Sequence, residues 1–515
     1  MSSIAGLSNG RKNSTQTVET PCPGPTLTHA AARVLLGLAF LLFLLQAVPY
    51  LSYRWVTDES WYSAPAYSVA HGNGLVNPAM GPNDFENHLF VLPPGTSMVI
   101  AAAFRLFGTG QIQARLGSIL AGLAIIFFTY RLARDFIGKE GALVAAFLVA
   151  TDNVIVITSR TARPEALTTM AALASLLAME QYARKNRIAW ALLSGLLIGI
   201  GAMFHITVLG YIVSIGILAI VLDRRRGGFP LRGAIGYAIG CAFGLLPFVV
   251  FLLTAPLGRV GFRHEYMSHA VGISLWSKFL LEGGRYADLI GLNMLHGHGL
   301  ESIPFRLPIP LFFLAASFLL WKLRRRWFYL ELLLLIPTVF WFIDMVNKNL
   351  RYFALLAPVF ALAIGASVAA ARSNLRLHRA LLVFSCLVVV AQLSANIFLL
   401  RAARNADYNK VAAELRSVIP PGQTACGTIT YWLALHDHPY ISWERTDPMM
   451  AANQFHARYF IAGDHVMTGG MLPGDEAFFV SLERSMDEVI AQSKLVGHFP
   501  DPFYGDLKVY EFHAP

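Results

Sequence analysis

An ionisable side chain beside a long apolar run is costly to keep there, and such residues tend to be functional. Asp58 and Glu59 follow the first apolar run, in Val56-Thr57-Asp58-Glu59-Ser60-Trp61-Tyr62. A carboxylate at such a place, partly shielded from water, suits a general base that takes a proton from a hydroxyl. An ordinary helix cap is the alternative. Ser159-Arg160-Thr161-Ala162-Arg163-Pro164-Glu165 packs two arginines and a glutamate into one tight connection between apolar runs. Arginine holds phosphate through a planar, bidentate fork, so Arg160 and Arg163 suit a phosphate-bearing substrate. Asn347-Lys348-Asn349-Leu350-Arg351-Tyr352, ahead of Leu356-Ala357-Pro358, places two further cations at the end of an apolar run. Asp84-Phe85-Glu86-Asn87-His88 precedes Pro93-Pro94-Gly95. Glu86 and His88 could share a divalent metal, although Glu-x-His is a weak pattern and a solvated loop is the alternative. His264, His269, His296 and His298 read first as interface residues, one of which could complete such a metal site, and His205 reads as packing or a helix end.

Long helices in lipid must position these groups. The chain has 515 residues, of which 55% are hydrophobic and 14% charged, with a mean hydropathy of +0.52. A soluble domain carries roughly 25% charged residues, so most of this chain is solvated by lipid. The net charge of +10 points to positive-inside loops rather than to nucleic acid. The four cysteines, Cys22, Cys241, Cys386 and Cys426, have no metal-ligand or disulfide spacing. Eleven spans of about 17–22 residues are predicted: 34–53, 113–131, 141–158, 166–183, 188–204, 206–222, 233–254, 305–321, 329–346, 353–371 and 380–400.

With the N-terminus in the cytoplasm, the inside connections are Arg131–Lys139, Arg184–Arg187, Asp223–Arg226, Lys322–Arg326 and Arg372–Arg379, all rich in Lys and Arg. The outside then receives two long loops, 54–112 and 256–304, and residues 402–515. Residues 1–30 are polar and read as a disordered cytoplasmic tail, and 31–401 as the transmembrane domain. In loop 54–112 the aromatic stretch after Glu59 is expected at headgroup level, and Thr96–Phe107 as a short interfacial or re-entrant helix. Residues 402–515 alternate helix-like stretches, Asp407–Ile419 and Asp475–Lys494, with short apolar ones, Arg458–Ile461 and Lys508–Phe512, which predicts a small α/β domain outside the membrane.

Asp58-Glu59-Ser60-Trp61-Tyr62, Pro93-Pro94-Gly95, Ala114-Arg115-Leu116, Ser159–Glu165 and Arg351-Tyr352 with Pro358 recur in order across residues 50–370. In these segments the sequence resembles the GT-C glycosyltransferases, in the protein O-mannosyltransferase-like branch that includes the bacterial aminoarabinose transferases of lipid A and the rhizobial lipopolysaccharide transferases. The resemblance implies an α-helical polytopic membrane protein of GT-C type, with about eleven transmembrane helices, in a bacterial inner membrane. It implies a polyprenyl-phosphate sugar as donor at the periplasmic face, transfer with inversion, and a lipid, glycan or protein acceptor. Asp58 would be the base, with Glu59 and Glu165 as acidic site residues. Arg160, Arg163, Lys348, Arg351 and Tyr352 would hold the donor phosphate. Glu86 and His88 fall where the aminoarabinose transferases carry a metal-binding acid, but here the spacing to Pro93-Pro94 is longer and Gly95 follows the prolines. A transporter or lipid flippase is the alternative, although no internal repeat is visible and the ionisable groups gather at helix ends, Asp344 being nearest to an exception.

Overall fold

In a computed structural model, residues 27–81, 93–226, 231–254, 274–289, 308–344, 350–444, 446–463 and 476–513 are described. The helices run α1 His29–Ala47, α2 Thr57–Ala70, α3 Gly95–Phe107, α4 Gln111–Thr151, α5 Asn153–Ser159, α6 Pro164–Lys185, α7 Ile188–Phe204, α8 Leu209–Arg226, α9 Arg232–Thr254, α10 Leu275–Leu289, α11 Pro308–Leu323, α12 Arg325–Asp344, α13 Ala357–Ala370 and α14 Leu375–Ala403. The sheet domain adds α15 Tyr408–Val418, β1 Ala425–Gly427, β2 Tyr440–Ser442, α16 Pro448–Asn453, β3 Tyr459–Ala462, α17 Glu476–Ala491, β4 Ser493–Asp501 and β5 Gly505–Phe512. Seven of the described helical runs are long and apolar enough to cross a membrane, and Gly95–Phe107, Ile188–Phe204 and Ile309–Leu323 are shorter apolar helices.

Helix starts and breaks follow the local sequence. Thr28 caps α1 by accepting the N–H of Ala31. The interval 113–131 and the first part of 141–158 fall on one helical run that turns at Gly138, whose φ of 77° suits glycine. The run ends at Asp152, whose carboxylate accepts the N–H groups of Val154 and Ile155 at 2.9 and 3.0 Å and starts α5 in a new direction. The apolar stretch 188–222 is divided at His205, whose extended backbone ends α7.

Without a hydrophobic force between helices in lipid, close packing and buried polar contacts hold the bundle. Asn396 on α14 donates to Gln46 of α1 at 2.7 Å and to the Thr151 carbonyl at 2.9 Å, and Thr151 donates to Gln392 at 2.9 Å. Helices α7 and α9 meet through Gly195 and Gly199 on one and Gly236, Gly240 and Gly244 on the other. A Cβ on Gly240 would collide with the Leu192 carbonyl oxygen, which ridge-and-groove repacking cannot relieve.

The sheet domain has strand order β2-β1-β3-β5-β4. Strands β1–β2 and β1–β3 pair in parallel, while β3–β5 and β4–β5 are antiparallel. The two predicted helices appear as α15, capped by Asp407, and α17, and the two apolar stretches as β3 and β5. Lys494, expected at the end of a helix, instead belongs to β4.

This domain does not stand apart from loop 54–112. Trp55, Tyr62, Met80, Ile100 and Phe104 share one hydrophobic core with Tyr408, Leu415, Trp432, Tyr504 and Val509. Ala79 accepts the N–H of Ser442 at 2.7 Å, so the loop extends the sheet beyond β2. Helix α2 is packed into this core, with Tyr62, Ser63, Ala64, Pro65 and Ala66 buried.

Replacing Gly240 with Val is expected to cost at least about 3 kcal/mol through overpacking at a backbone contact. Thermal unfolding of the detergent-solubilised protein checks this, with Gly37→Val as a control, because a Cβ at Gly37 meets nothing within 4 Å.

Candidate active site

The end of α1, the start of α2, the start of α4, the α5–α6 connection and the 3-10 segment Leu350–Leu355 converge at one end of the bundle. A buried ion pair organises the convergence. Arg115, in the first turns of α4, and Glu59, in the first turn of α2, are both fully buried. The guanidinium donates to the two Glu59 oxygens through Nε and Nη2, each at 2.7 Å. Arg115 Nη1 also donates to the carbonyls of Tyr50, Leu51 and Tyr53 at 3.0–3.1 Å, and Nη2 to that of Arg54. Glu59 in turn accepts the N–H of Ala162 at 2.8 Å and that of Val56 at 3.2 Å. This satisfies the requirement that a buried pair bring further hydrogen bonds. Glu59, expected as a catalytic acid, therefore departs from that role: both oxygens are taken and the residue is sealed from solvent.

Asp58, next to it, points the other way and its side chain is half exposed. Its Oδ2 accepts hydrogen bonds from Arg163 Nη1 and, at 3.3 Å, from Arg351 Nη1. Arg163 then reaches Glu165 through Nη2 at 2.7 Å and Nε at 3.0 Å. All three guanidinium nitrogens of Arg163 are engaged, and Glu165 is buried with its oxygens on Arg163. The expected phosphate ligand Arg163 and the expected acid Glu165 thus form a brace that holds Asp58. Pro164 at the first position of α6 sets the turn that brings them together.

Arg160 and Arg351 line a small cavity with Tyr50, Arg54, Val56, Ile157, Thr161, Leu399 and Ala403. The Arg160 guanidinium lies over the Tyr50 ring, 4.0 Å from its centroid. Cations beside the apolar Val56, Ile157, Leu399 and Ala403 can hold an anionic headgroup whose tail lies on the apolar wall. Tyr352, expected beside the phosphate, is buried, with its ring 5.2 Å from that of His205. Asp344 pairs with Lys278 of α10 at 2.9 Å. On the same helix Arg285, paired with Glu282, lies 4.7 Å from the Phe353 ring centroid and backs the 350–355 segment.

Glu86, His88, Lys348, His264, His269, His296 and His298 lie outside the described residues. Among the described residues no group of three or more His, Cys, Asp and Glu side chains comes together that could hold a metal ion. Arg115 and Arg54 are the residues that sequence reasoning missed as site builders. The available signal was a lone arginine in the first turns of an apolar helix for Arg115. A cation ahead of the Asp58 cluster was the signal for Arg54.

Removing one partner of a buried pair strands the other charge, so Glu59→Gln is expected to cost about 3–5 kcal/mol. Asp58→Asn, at a half-exposed pair, is expected to stay within about 1 kcal/mol of the parent. Thermal unfolding of both variants separates the structural carboxylate from its neighbour.

Comparison with known proteins bears on the fold. The dolichyl-phosphate-mannose-protein mannosyltransferase family pattern matches residues 91–254. A polyprenol-phosphate-mannose–protein mannosyltransferase of Mycolicibacterium smegmatis is 28% identical over 231 residues, which is 38% of this chain and 43% of the length of that relative. Among solved structures, ArnT from Cupriavidus metallidurans bound to undecaprenyl phosphate superposes with a TM-score of 0.62 at 13% identity, covering 94% of this chain and 98% of that one. The Archaeoglobus fulgidus oligosaccharyltransferase tethered to an acceptor peptide gives a TM-score of 0.54 at 13% identity, covering 94% and 74%. The chain is a multi-pass membrane protein with the fold of the GT-C glycosyltransferases, and across residues 91–254 it is similar to the dolichyl-phosphate-mannose-protein mannosyltransferases.

Proposed function

We propose that this protein transfers a sugar from a polyprenyl-phosphate donor to a hydroxyl on a lipid, glycan or protein acceptor. The observation that carries the reading is that Asp58 shares Arg351 with a cavity also lined by Arg160 and by the apolar Val56, Ile157, Leu399 and Ala403. A base and a phosphate cradle thus meet at one point. Two similar proteins support the donor class: a polyprenol-phosphate-mannose–protein mannosyltransferase in sequence and ArnT bound to undecaprenyl phosphate in fold.

In the step proposed, the acceptor hydroxyl oxygen attacks C1 of the donor sugar on the face opposite the phosphate. Its proton passes to the Asp58 carboxylate as the new C–O bond forms. The bond from C1 to the phosphate oxygen breaks with its electron pair staying on the phosphate, so configuration at C1 inverts. The leaving phosphate gains charge as it departs. Arg160 and Arg351 stabilise that charge, and they act more strongly on the transition state than on the ground state. Arg163 and Glu165 hold Asp58 in register, and Glu59 with Arg115 holds the segment that carries it. Ile157, Leu399 and Ala403 receive the first units of the polyprenyl chain.

The same reading places the site at the outer face of a bacterial plasma membrane, with the sheet domain outside and the N-terminus in the cytoplasm. The Lys- and Arg-rich connections support that orientation. Transport of a lipid-linked sugar is the competing reading raised by the sequence, and flux in proteoliposomes without transfer would favour it.

Asp58→Asn, in protein that retains its thermal midpoint, is expected to lower transfer from a polyprenyl-phosphate sugar by at least about 100-fold. Arg160→Met and Arg351→Met are each expected to weaken binding of undecaprenyl phosphate about tenfold. A transfer assay in membranes and a lipid-binding assay on purified protein check the two roles separately. Full activity of Asp58→Asn would remove Asp58 as the base.

A further inference from the structure

The cavity that holds Arg160 and Arg351 has a further cation in its wall, Arg54, which comes from the segment between α1 and α2. The Arg54 main chain is fixed at both ends. Its N–H donates to the Ala406 carbonyl at 2.7 Å and its carbonyl accepts from Arg115. Its side chain is set by the sheet domain, where the guanidinium carbon lies 4.4 Å from the centroid of the Phe503 ring. The Nε of Arg54 is buried and has no hydrogen-bond partner among the described residues.

Phe503 sits in the turn between β4 and β5, and that turn is rigid. The Asp501 carboxylate accepts the N–H groups of Phe503 and Tyr504, both at 2.8 Å. The Tyr504 hydroxyl accepts the N–H of Trp55 at 2.7 Å and donates to the Trp55 carbonyl at 3.1 Å. One turn of the sheet domain therefore grips the residue after Arg54 by its backbone and Arg54 itself by its side chain. Stacking on an aromatic face uses none of the guanidinium's N–H donors, which leaves its edge free for an anion and limits the rotamers lost on binding.

Charge points the same way. Arg54, Arg160 and Arg351 line one cavity, so three guanidinium groups bear on the same space. A sugar phosphodiester brings one negative charge. The phosphomonoester released on transfer carries about −1.5 to −2.

We propose that Arg54 is a third guanidinium of the donor-phosphate site, and that Phe503 and Tyr504 position it, so that the sheet domain sets the affinity of the membrane bundle for the lipid phosphate. The proposal rests on the donor reading above. Arg54 binds; Phe503 and Tyr504 are positioning residues that act through it.

The test measures binding of undecaprenyl phosphate, and of undecaprenol as a probe without phosphate, to the full-length protein in detergent. Arg54→Met is expected to weaken the phosphate probe about tenfold and leave undecaprenol unchanged. Phe503→Leu is expected to weaken the phosphate probe by a smaller factor, and Phe503→Trp to restore it, because only the aromatic face orders Arg54. A purely structural role for Phe503 would change both probes alike. Unchanged phosphate affinity in Arg54→Met, with Arg160→Met and Arg351→Met still impaired, would overturn this proposal alone. Unchanged affinity in all three variants would overturn the donor site itself. Loss of both probes in Phe503→Leu with a lowered thermal midpoint, and no rescue by Phe503→Trp, would overturn the positioning role.

Discussion

The buried pair of Glu59 and Arg115 is the constraint on which the rest of the site depends. A charge without water must be matched by a partner and by enough hydrogen bonds to replace its hydration. Arg115 meets that demand with a carboxylate and four backbone carbonyls, and Glu59 meets it with a guanidinium and two backbone N–H groups. These partners come from the end of α1, the start of α2, the start of α4 and the connection before α6. No one of these segments can shift without leaving a buried polar group unpaired. Their relative positions are thereby set to within a hydrogen-bond length, which is the tolerance that chemistry at a neighbouring residue requires.

Asp58 exploits this by being the next residue in the helix. Its neighbour is locked inward, so Asp58 must face the other side, toward Arg163 and Arg351. The adjacent acids of a single motif thus divide the work: one builds, the other is presented. The brace of Arg163 and Glu165 repeats the division on the facing connection, where Arg160, three residues earlier, remains turned to the cavity. Hydrogen bonds between side chains tie Asp58, Arg163 and Glu165 to one another.

The sheet domain belongs to the same construction. Its core is continuous with α2 and α3, its sheet takes Ala79 and Met80 at the edge, and its β4–β5 turn touches Arg54 and Trp55. One side of the sheet closes a core of its own around Cys426, Phe460 and Leu482, and the other shares its core with the loop. Here apolar residues from both parts are buried by each other, so the position of the domain and the position of the segment before Asp58 are one variable.

Much of the architecture was legible in the sequence, because lipid demands long apolar helices and penalises charge between them. Asp58, Arg160 and Arg351 stood out as charges at helix ends, and the four predicted elements of the sheet domain appear as two helices and two strands. The roles inside each cluster were not legible. Asp58 and Glu59 are chemically alike and adjacent, and only the arrival of Arg115 from α4 decides which is buried. Likewise Arg163 is the arginine of its segment that braces Asp58 and Glu165 while Arg160 lies over Tyr50, and Arg54 is held at the cavity by Phe503, far along the chain. By itself the sequence determined the membrane setting, the fold class and the regions rich in chemistry, since these follow from composition and local order. The tertiary structure decided which charges pair with each other and which line the cavity, because ion pairing depends on distances between segments remote in the chain.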